Sequence, residues 1–418
     1  MKFIYMPLRN FFKRKSIFIL IALLYVLSSN SLSSNTLNGK IWANAKTQNS
    51  LVTNTIYKDF TDASSGLQFK KSQNYLTYNA NLNFIRNNTI SFDGSFLEYS
   101  YKNTTLGVGR VIRNWSFSPR TSLILSNNAR PSKSIYLNIH SSKKHYDNHK
   151  SLLGPWSFEL FNSILSNSTG PKNTMLLGYR VTTEPINNLK FELLKTSQWG
   201  GGNNKKNISA FKVATIGNTN EGEYSNINQI AGFGVSYLTN FNEIPVRFYS
   251  QFVGEDESNN LPSCFMKMVG LETDLILKKF PSTIGVEYVD TKISFSTNLH
   301  CGPNTAYNNA TYKYNNYDKV LGAAIGSEGR SISFWGTTEI SKNIFINYSF
   351  EDIIINDSDW SQHHLSSNKQ GGNLITFGAS YSRNNFKIQS QVSYQSFGLD
   401  KIDILEGMSI SLRTTLAF

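Results

Sequence analysis

The chain has 418 residues, a formal net charge of +13 and a mean hydropathy of −0.31. That polarity excludes a bundle of membrane helices, because a spanning helix needs about 20 apolar residues in a row and no segment supplies them. The lysines are scattered and form no nucleic-acid-binding module, so the charge points instead to acidic glycans or phosphate-rich lipid.

Residues 1 to 34 read as a secretory signal peptide. Lys2, Arg9, Lys13, Arg14 and Lys15 precede an apolar run from Ile17 to Leu27, and small polar residues follow from Ser28. Subtracting those five cations leaves a charge of about +8 on the exported chain. No cysteine lies near the cleavage region, which argues against a lipoprotein anchor. Residues 35 to 418 are expected to form one domain. No Pro/Ser-rich linker, heptad run or longer repeat divides them, and a single closed barrel uses their length undivided.

Period-two alternation recurs along this stretch. Residues 35 to 90 alternate like strands and contain no amphipathic helix. Met175, Leu177, Tyr179 and Val181 oppose Leu176, Gly178 and Arg180; Ala231, Phe233, Val235 and Tyr237 oppose Gly232, Gly234 and Ser236. Ile284, Val286 and Tyr288 oppose Thr283, Gly285 and Glu287, and similar patterns run through 374 to 381 and 386 to 394. Strands with one apolar and one small or polar face fit the lipid and lumen sides of a barrel wall, with Tyr and Phe near strand ends as an interfacial girdle. The expected fold is all-β: a transmembrane antiparallel β-barrel of about 16 to 18 strands in the bacterial outer membrane.

The last twelve residues give the sharpest pattern. Met408, Ile410, Leu412, Leu416 and Phe418 share one face, broken only by Thr414; Gly407, Ser409, Ser411, Arg413, Thr415 and Ala417 share the other. This resembles the aromatic-ended terminal strand of outer-membrane barrels, which implies that Phe418 is an assembly signal read by the barrel-assembly machinery.

Cys264 and Cys301 flank a predicted strand pair in loop-like contexts, LPSC and HCGPN. Export implies an oxidising compartment, and both a loop-tethering disulfide and two free thiols remain open.

Catalytic and metal-binding patterns are weak. Glu255, Asp256 and Glu257 form a contiguous acidic loop, whereas a glycosidase needs two carboxyls about 5 to 10 Å apart across a sugar. His363 and His364 are adjacent, and in a strand they would face opposite ways. His145 and His149 have helical metal spacing in a polar loop that also holds Lys143, Lys144 and Lys150, which reads as a lipopolysaccharide-facing edge. The run GGGNNKKN from Gly200 lacks the end of a phosphate-binding loop and reads as a turn. No enzymatic role, cofactor or metal is expected.

Four ordered blocks are more specific. They are GVGRVIRNWSFSPRTSLILSNNARP from Gly107 to Pro131, GPWSFEL from Gly154 to Leu160, LLGYR leading to TSQWGGG between Leu176 and Gly202, and the run from Gln251 to Glu272 with GEDE, LPS and GLE. A weaker echo runs from Thr311 to Gly326. In this order they resemble the Wzi-type capsule-assembly outer-membrane proteins. The resemblance implies a surface lectin that binds exported capsular polysaccharide and supports its attachment or assembly. It also implies a periplasmic helical bundle before the barrel, from which the strand-like residues 35 to 90 depart.

Residue chemistry suits that task at several positions. Amides, hydroxyls and guanidinium forks recognise sugar hydroxyls and carboxylates, and aromatic faces meet sugar C–H edges. The candidates are Trp115, Asn127, Asn128, Arg130, Trp156, Arg180, Gln198 and Trp199. Asn-Asn-Ala-Arg-Pro also fits a structural turn, the tryptophans also fit a girdle, and Arg180 also fits a wall ion pair with a carboxylate such as Glu159. The expected partners are an acidic capsular or exopolysaccharide, outer-membrane lipid and lipopolysaccharide, with the protein a monomer. A passive porin or solute channel with the same wall is the alternative.

Overall fold

A computed structural model describes residues 38–51, 63–85, 89–141, 153–216, 222–258, 261–293 and 301–418. The signal-peptide segment and the His145/His149 loop lie outside them. Within them the chain forms β1 (Asn38–Lys46), β2 (Ala63–Gln73), β3 (Leu76–Ile85), β4 (Phe96–Tyr101), β5 (Thr104–Gly109) and β6 (Lys133–His140). Next come β7 (Trp156–Ile164), β8 (Met175–Ile186), β9 (Leu189–Trp199), β10 (Asn228–Phe241), β11 (Ile244–Ser258) and β12 (Leu261–Leu277). The last are β13 (Phe280–Asp290), β14 (Arg330–Ser341), β15 (Ile344–Ile355), β16 (Gln370–Arg383), β17 (Phe386–Gln395) and β18 (Gly407–Ala417).

Each strand pairs antiparallel with its chain neighbours, and β1 pairs with β18 from Lys40 opposite Ala417 to Lys46 opposite Ser411. The result is a closed barrel of 18 strands, within the range read from alternation. Among the described residues, closure leaves the barrel sheet without an unpaired edge, the condition for crossing a bilayer with strands. The alternation has the expected sides. On β18, Met408, Ile410 and Leu412 are 58%, 47% and 47% exposed on the outer face, while Ser409 and Ser411 are buried inside.

Among the described residues, seven hairpins close with two-residue turns at one end of the barrel, between β2 and β3, β4 and β5, β8 and β9, β10 and β11, β12 and β13, β14 and β15, and β16 and β17. Asn74, Lys102, Asn188, Asn242, Lys278 and Asn384 take left-handed backbone there, as such turns require. Most of the long connections lie at the opposite end. Outer-membrane barrels carry short turns towards the periplasm and long connections outside, which orients this one.

Three connections do more than join strands. Residues 110–132, after β5, and the described part of the connection after β13, 291–293 and 301–329, fold into the barrel. Residues 200–227, after β9, carry the one helix among the described residues, α1 (Ile208–Ile216). Its first turn is capped by Asn207, whose Oδ1 accepts the Ala210 N–H at 2.8 Å. The run from Gly200 is therefore not a simple turn.

Candidate functional site

Residues 110–132 cross the lumen and bond to strands around it. The Trp115 indole donates to Glu159 of β7 at 2.9 Å and meets Phe161 edge-on, with ring centroids 5.3 Å apart. Arg113 donates from Nε to the other Glu159 oxygen at 2.7 Å. The Ser118 hydroxyl bonds Glu287 of β13, and Arg120 pairs with Glu351 of β15 at 2.7 Å. Arg247 of β11 donates to the Phe117 carbonyl at 2.7 Å. Leu123, Ile124 and Leu125 are buried among Tyr307, Tyr314, Leu321 and Ile325 of the second inward connection, and the Tyr307 and Tyr314 hydroxyls donate to the Leu123 and Ile124 carbonyls.

At the outward end of this filling lies a cationic and aromatic cluster. Arg130 donates from Nε to Asp93 at 2.6 Å and from Nη2 to Ser91 at 2.8 Å, and its guanidinium lies 4.1 Å from the Tyr317 ring centre. Arg110 donates to the other Asp93 oxygen and to the Tyr317 hydroxyl, both at 2.9 Å. Two guanidiniums thus share one carboxylate, and the Arg130 side chain keeps 31% of its surface exposed. Asn127 is half-buried and lines a shallow cleft beside Arg130, Ile112 and Pro131.

The other candidates fall elsewhere. Asn128 gives its side-chain amide to the Val320 carbonyl at 2.9 Å, fastening one inward connection to the other. Trp115 is 1% exposed, beneath the cluster. Arg180 faces the lumen, but its ion-pair partner is Glu192 on β9, with Nε to Oε2 at 2.9 Å; Glu159 is taken by Arg113 and Trp115. Gln198 is buried inside, bonded to the Lys313 carbonyl and Asn228, each at 2.9 Å. Trp199, the next residue, faces out of the wall against Phe211 of α1. Trp156 begins β7 at the short-turn end, on the face opposite Glu159. Of the eight, the structure brings only Asn127, Asn128 and Arg130 together, with Trp115 below them. Asp93, Arg110 and Tyr317 were not anticipated.

Cys264 and Cys301 form a disulfide with Cα atoms 5.4 Å apart, tying β12 to the connection 291–329. The LPSC context is strand rather than loop, and Gly254 to Glu257 lie within β11 rather than in an acidic loop. Near the outward rim, Lys292, Arg330 and Lys369 converge on Asp357, and hydrogen bonds from Lys292 and then Lys369 hold its carboxyl well below the usual carboxylate range. His363 and His364 sit in the connection after β15, not in a strand, with ring centres 4.6 Å apart. Burial, and then the neighbouring His363, push His364 down to about 3. Burial also lowers His363, despite its bond to the Ser327 carbonyl.

The family model for the capsule assembly protein Wzi matches residues 31–396. The chain belongs to the Wzi capsule assembly family. An uncharacterised 55.8 kDa protein of the Klebsiella pneumoniae cps region is 29% identical over 182 residues, which take in 43% of this chain and 36% of that protein. The chain therefore matches about a third of that relative's length. Among solved structures it is similar to Escherichia coli Wzi, an outer-membrane protein involved in group 1 capsule assembly and a carbohydrate-binding β-barrel. The TM-score is 0.77 at 20% identity, covering 95% of this chain and 88% of that one. It is also similar to the outer-membrane protein OprD of Pseudomonas aeruginosa, with a TM-score of 0.51 at 10% identity, covering 92% and 93%. At these identities the likenesses speak to the fold: an outer-membrane barrel of the Wzi family.

Proposed function

We propose that this barrel binds exported surface polysaccharide at its outward end and supports capsule attachment or assembly there, without catalysing a reaction. The observation that carries this reading is the sharing of one Asp93 carboxylate by Arg110 and Arg130 around Tyr317. One positive charge in the cluster is left unmatched, on a guanidinium whose planar fork suits a sugar carboxylate. Asn127 beside it offers an amide to sugar hydroxyls. The family's role in capsule assembly and the carbohydrate binding of the Escherichia coli neighbour support the ligand class. Trp115, Asn128, Arg180 and Gln198 support this surface through their bonds to the wall and to the inward connections, whereas Trp199 seats α1 on the outer face. Trp156, at the other end, serves as a girdle residue.

Residues 1 to 34 are proposed to direct export and to be removed, leaving residues 35 to 418 as one monomeric barrel in the outer membrane of a Gram-negative cell, inserted by the assembly machinery. The filled lumen favours the lectin over a passive channel, which needs an unobstructed path.

Arg130→Gln tests the reading. Capsule retention on cells and binding of purified acidic capsule should fall about tenfold, the scale of one charge-assisted hydrogen bond, with the folded, heat-modifiable fraction unchanged. Added salt should weaken wild-type binding. Wild-type retention by the variant, with binding indifferent to salt, would favour a neutral-glycan lectin. Large steady conductance in planar bilayers without glycan binding would favour the channel.

A further inference from the structure

The connection after β9 leaves the lumen altogether. Gly178 and Gln198 turn inward, so their neighbours Leu177 and Trp199 face out of the wall. Helix α1 covers those two residues through Ala210 and Ala214, both fully buried. Its seat is fixed by side chains of the wall that satisfy the last helical carbonyls. Ser197 donates to the Ala214 carbonyl at 2.6 Å, Gln229 to Val213 at 3.0 Å, and the Tyr179 hydroxyl to Thr215 at 3.3 Å.

The helix faces the wrong way for one bathed in water. A surface helix of a soluble protein turns its large apolar side chains to the core. Here the two wholly buried helical residues are alanines, with Val213 and Phe211 flanking them against the wall, while Ile208 and Ile216 stand 76% and 84% exposed, each four residues from Lys212 on the outward face. Small residues towards the packing partner and large aliphatics outward are the pattern of helices in lipid. Lys206 and Lys212 are exposed beside these isoleucines, whereas Lys205 pairs with Glu223. The surface continues the outer band of the barrel, where Leu193 of β9 is 63% exposed, and it lies at the outward end.

We propose that α1 is a docking site for a phosphorylated glycolipid of the outer leaflet. Ile208 and Ile216 lie against its acyl chains, and the Lys206 and Lys212 ammoniums reach its phosphates, as lysine does when its stem is in lipid and its head is not. This assignment rests on the barrel fold and not on the polysaccharide reading.

Native mass spectrometry of the full-length barrel, exchanged into detergent with bis-phosphorylated lipid A, dephosphorylated lipid A or phosphatidylglycerol, tests it. The wild type should retain the bis-phosphorylated lipid over the other two, and inorganic phosphate should not displace it. Lys206→Gln/Lys212→Gln should reduce retention about tenfold, and Ile208→Ser/Ile216→Ser should reduce it comparably. Lys212→Gln alone, at an exposed position, should give a smaller loss of the same sign in a folded barrel. Equal retention of the dephosphorylated lipid, displacement by inorganic phosphate, or unchanged retention in either double variant overturns the assignment.

Discussion

The side-chain carbonyl of Gln251 accepts the backbone N–H of Leu123 at 2.8 Å, and its amide donates to the Trp115 carbonyl at 2.6 Å and to Glu192 at 2.9 Å. One wholly buried amide on β11 therefore holds two points of the crossing connection. Gln251→Leu would strand a buried donor and a buried acceptor, at about 1 to 3 kcal/mol each. Hydrogen exchange in residues 110–132 should quicken markedly while the strands keep wild-type protection. Unchanged exchange would show that the connection is held by its apolar packing.

Arg120 and Glu351 form a pair of which 2% and 3% of the side-chain surface is exposed. Removing one partner leaves an uncompensated charge, so Arg120→Met should lower stability by about 3 to 5 kcal/mol in a urea titration in micelles. Arg120→Met/Glu351→Leu should recover most of that loss. Failure of the double variant to recover would place the cost in shape rather than charge.

Phe418 lies at the seam, where its N–H and carbonyl bond reciprocally with Gly39, each at 2.9 Å, and its ring meets Phe69 edge-on at 6.1 Å. Deleting Phe418 should lower the folded, heat-modifiable fraction in outer membranes more than it lowers glycan binding per folded barrel. Equal amounts of folded protein would count against this.

Acid should loosen the outward rim at His363 and His364. Both are buried with pKa values below their ordinary 6.5, His364 at about 3. The unfolded segment takes up protons as pH falls below about 6.5 and the folded one does not, so the stability is present above that pH and is lost towards 3. Exchange in residues 356–369, corrected for intrinsic rate, should speed up between pH 7 and pH 5. His363→Asn/His364→Asn should flatten the dependence; an equally steep variant would overturn the assignment to the histidines, because Glu328, whose carboxyl burial raises, binds protons more readily when folded and so acts with the opposite sign.

The wall was legible in the sequence because its rule is local. Met408 and Ser409 declare opposite faces within two residues, and the barrel repeats that statement strand after strand. The interior was not legible, because Ser118 finds Glu287 and Arg113 finds Glu159 across the lumen, with no periodicity to announce the meeting. Trp156 and Trp199 looked alike as rings, yet their places follow from strand direction and parity, known only once every turn is counted. Helix α1 escaped notice because its inward alanines and outward isoleucines invert the pattern by which helices are found. Arg130 was found by its chemistry, and its partner Asp93 lies in a connection with no strand pattern to flag it.

The pairing of β1 with β18 also sets a timetable. Strand β1 has its partner in β18, which is made only after the sixteen strands between them, so the cylinder cannot shut before β18 has been synthesised. Until then two strands present open hydrogen-bonding rims to the periplasm, an invitation to pair with strangers. Delivery of strands β1 to β18 together, in an escorted and unshut form, is thus a requirement of the topology itself.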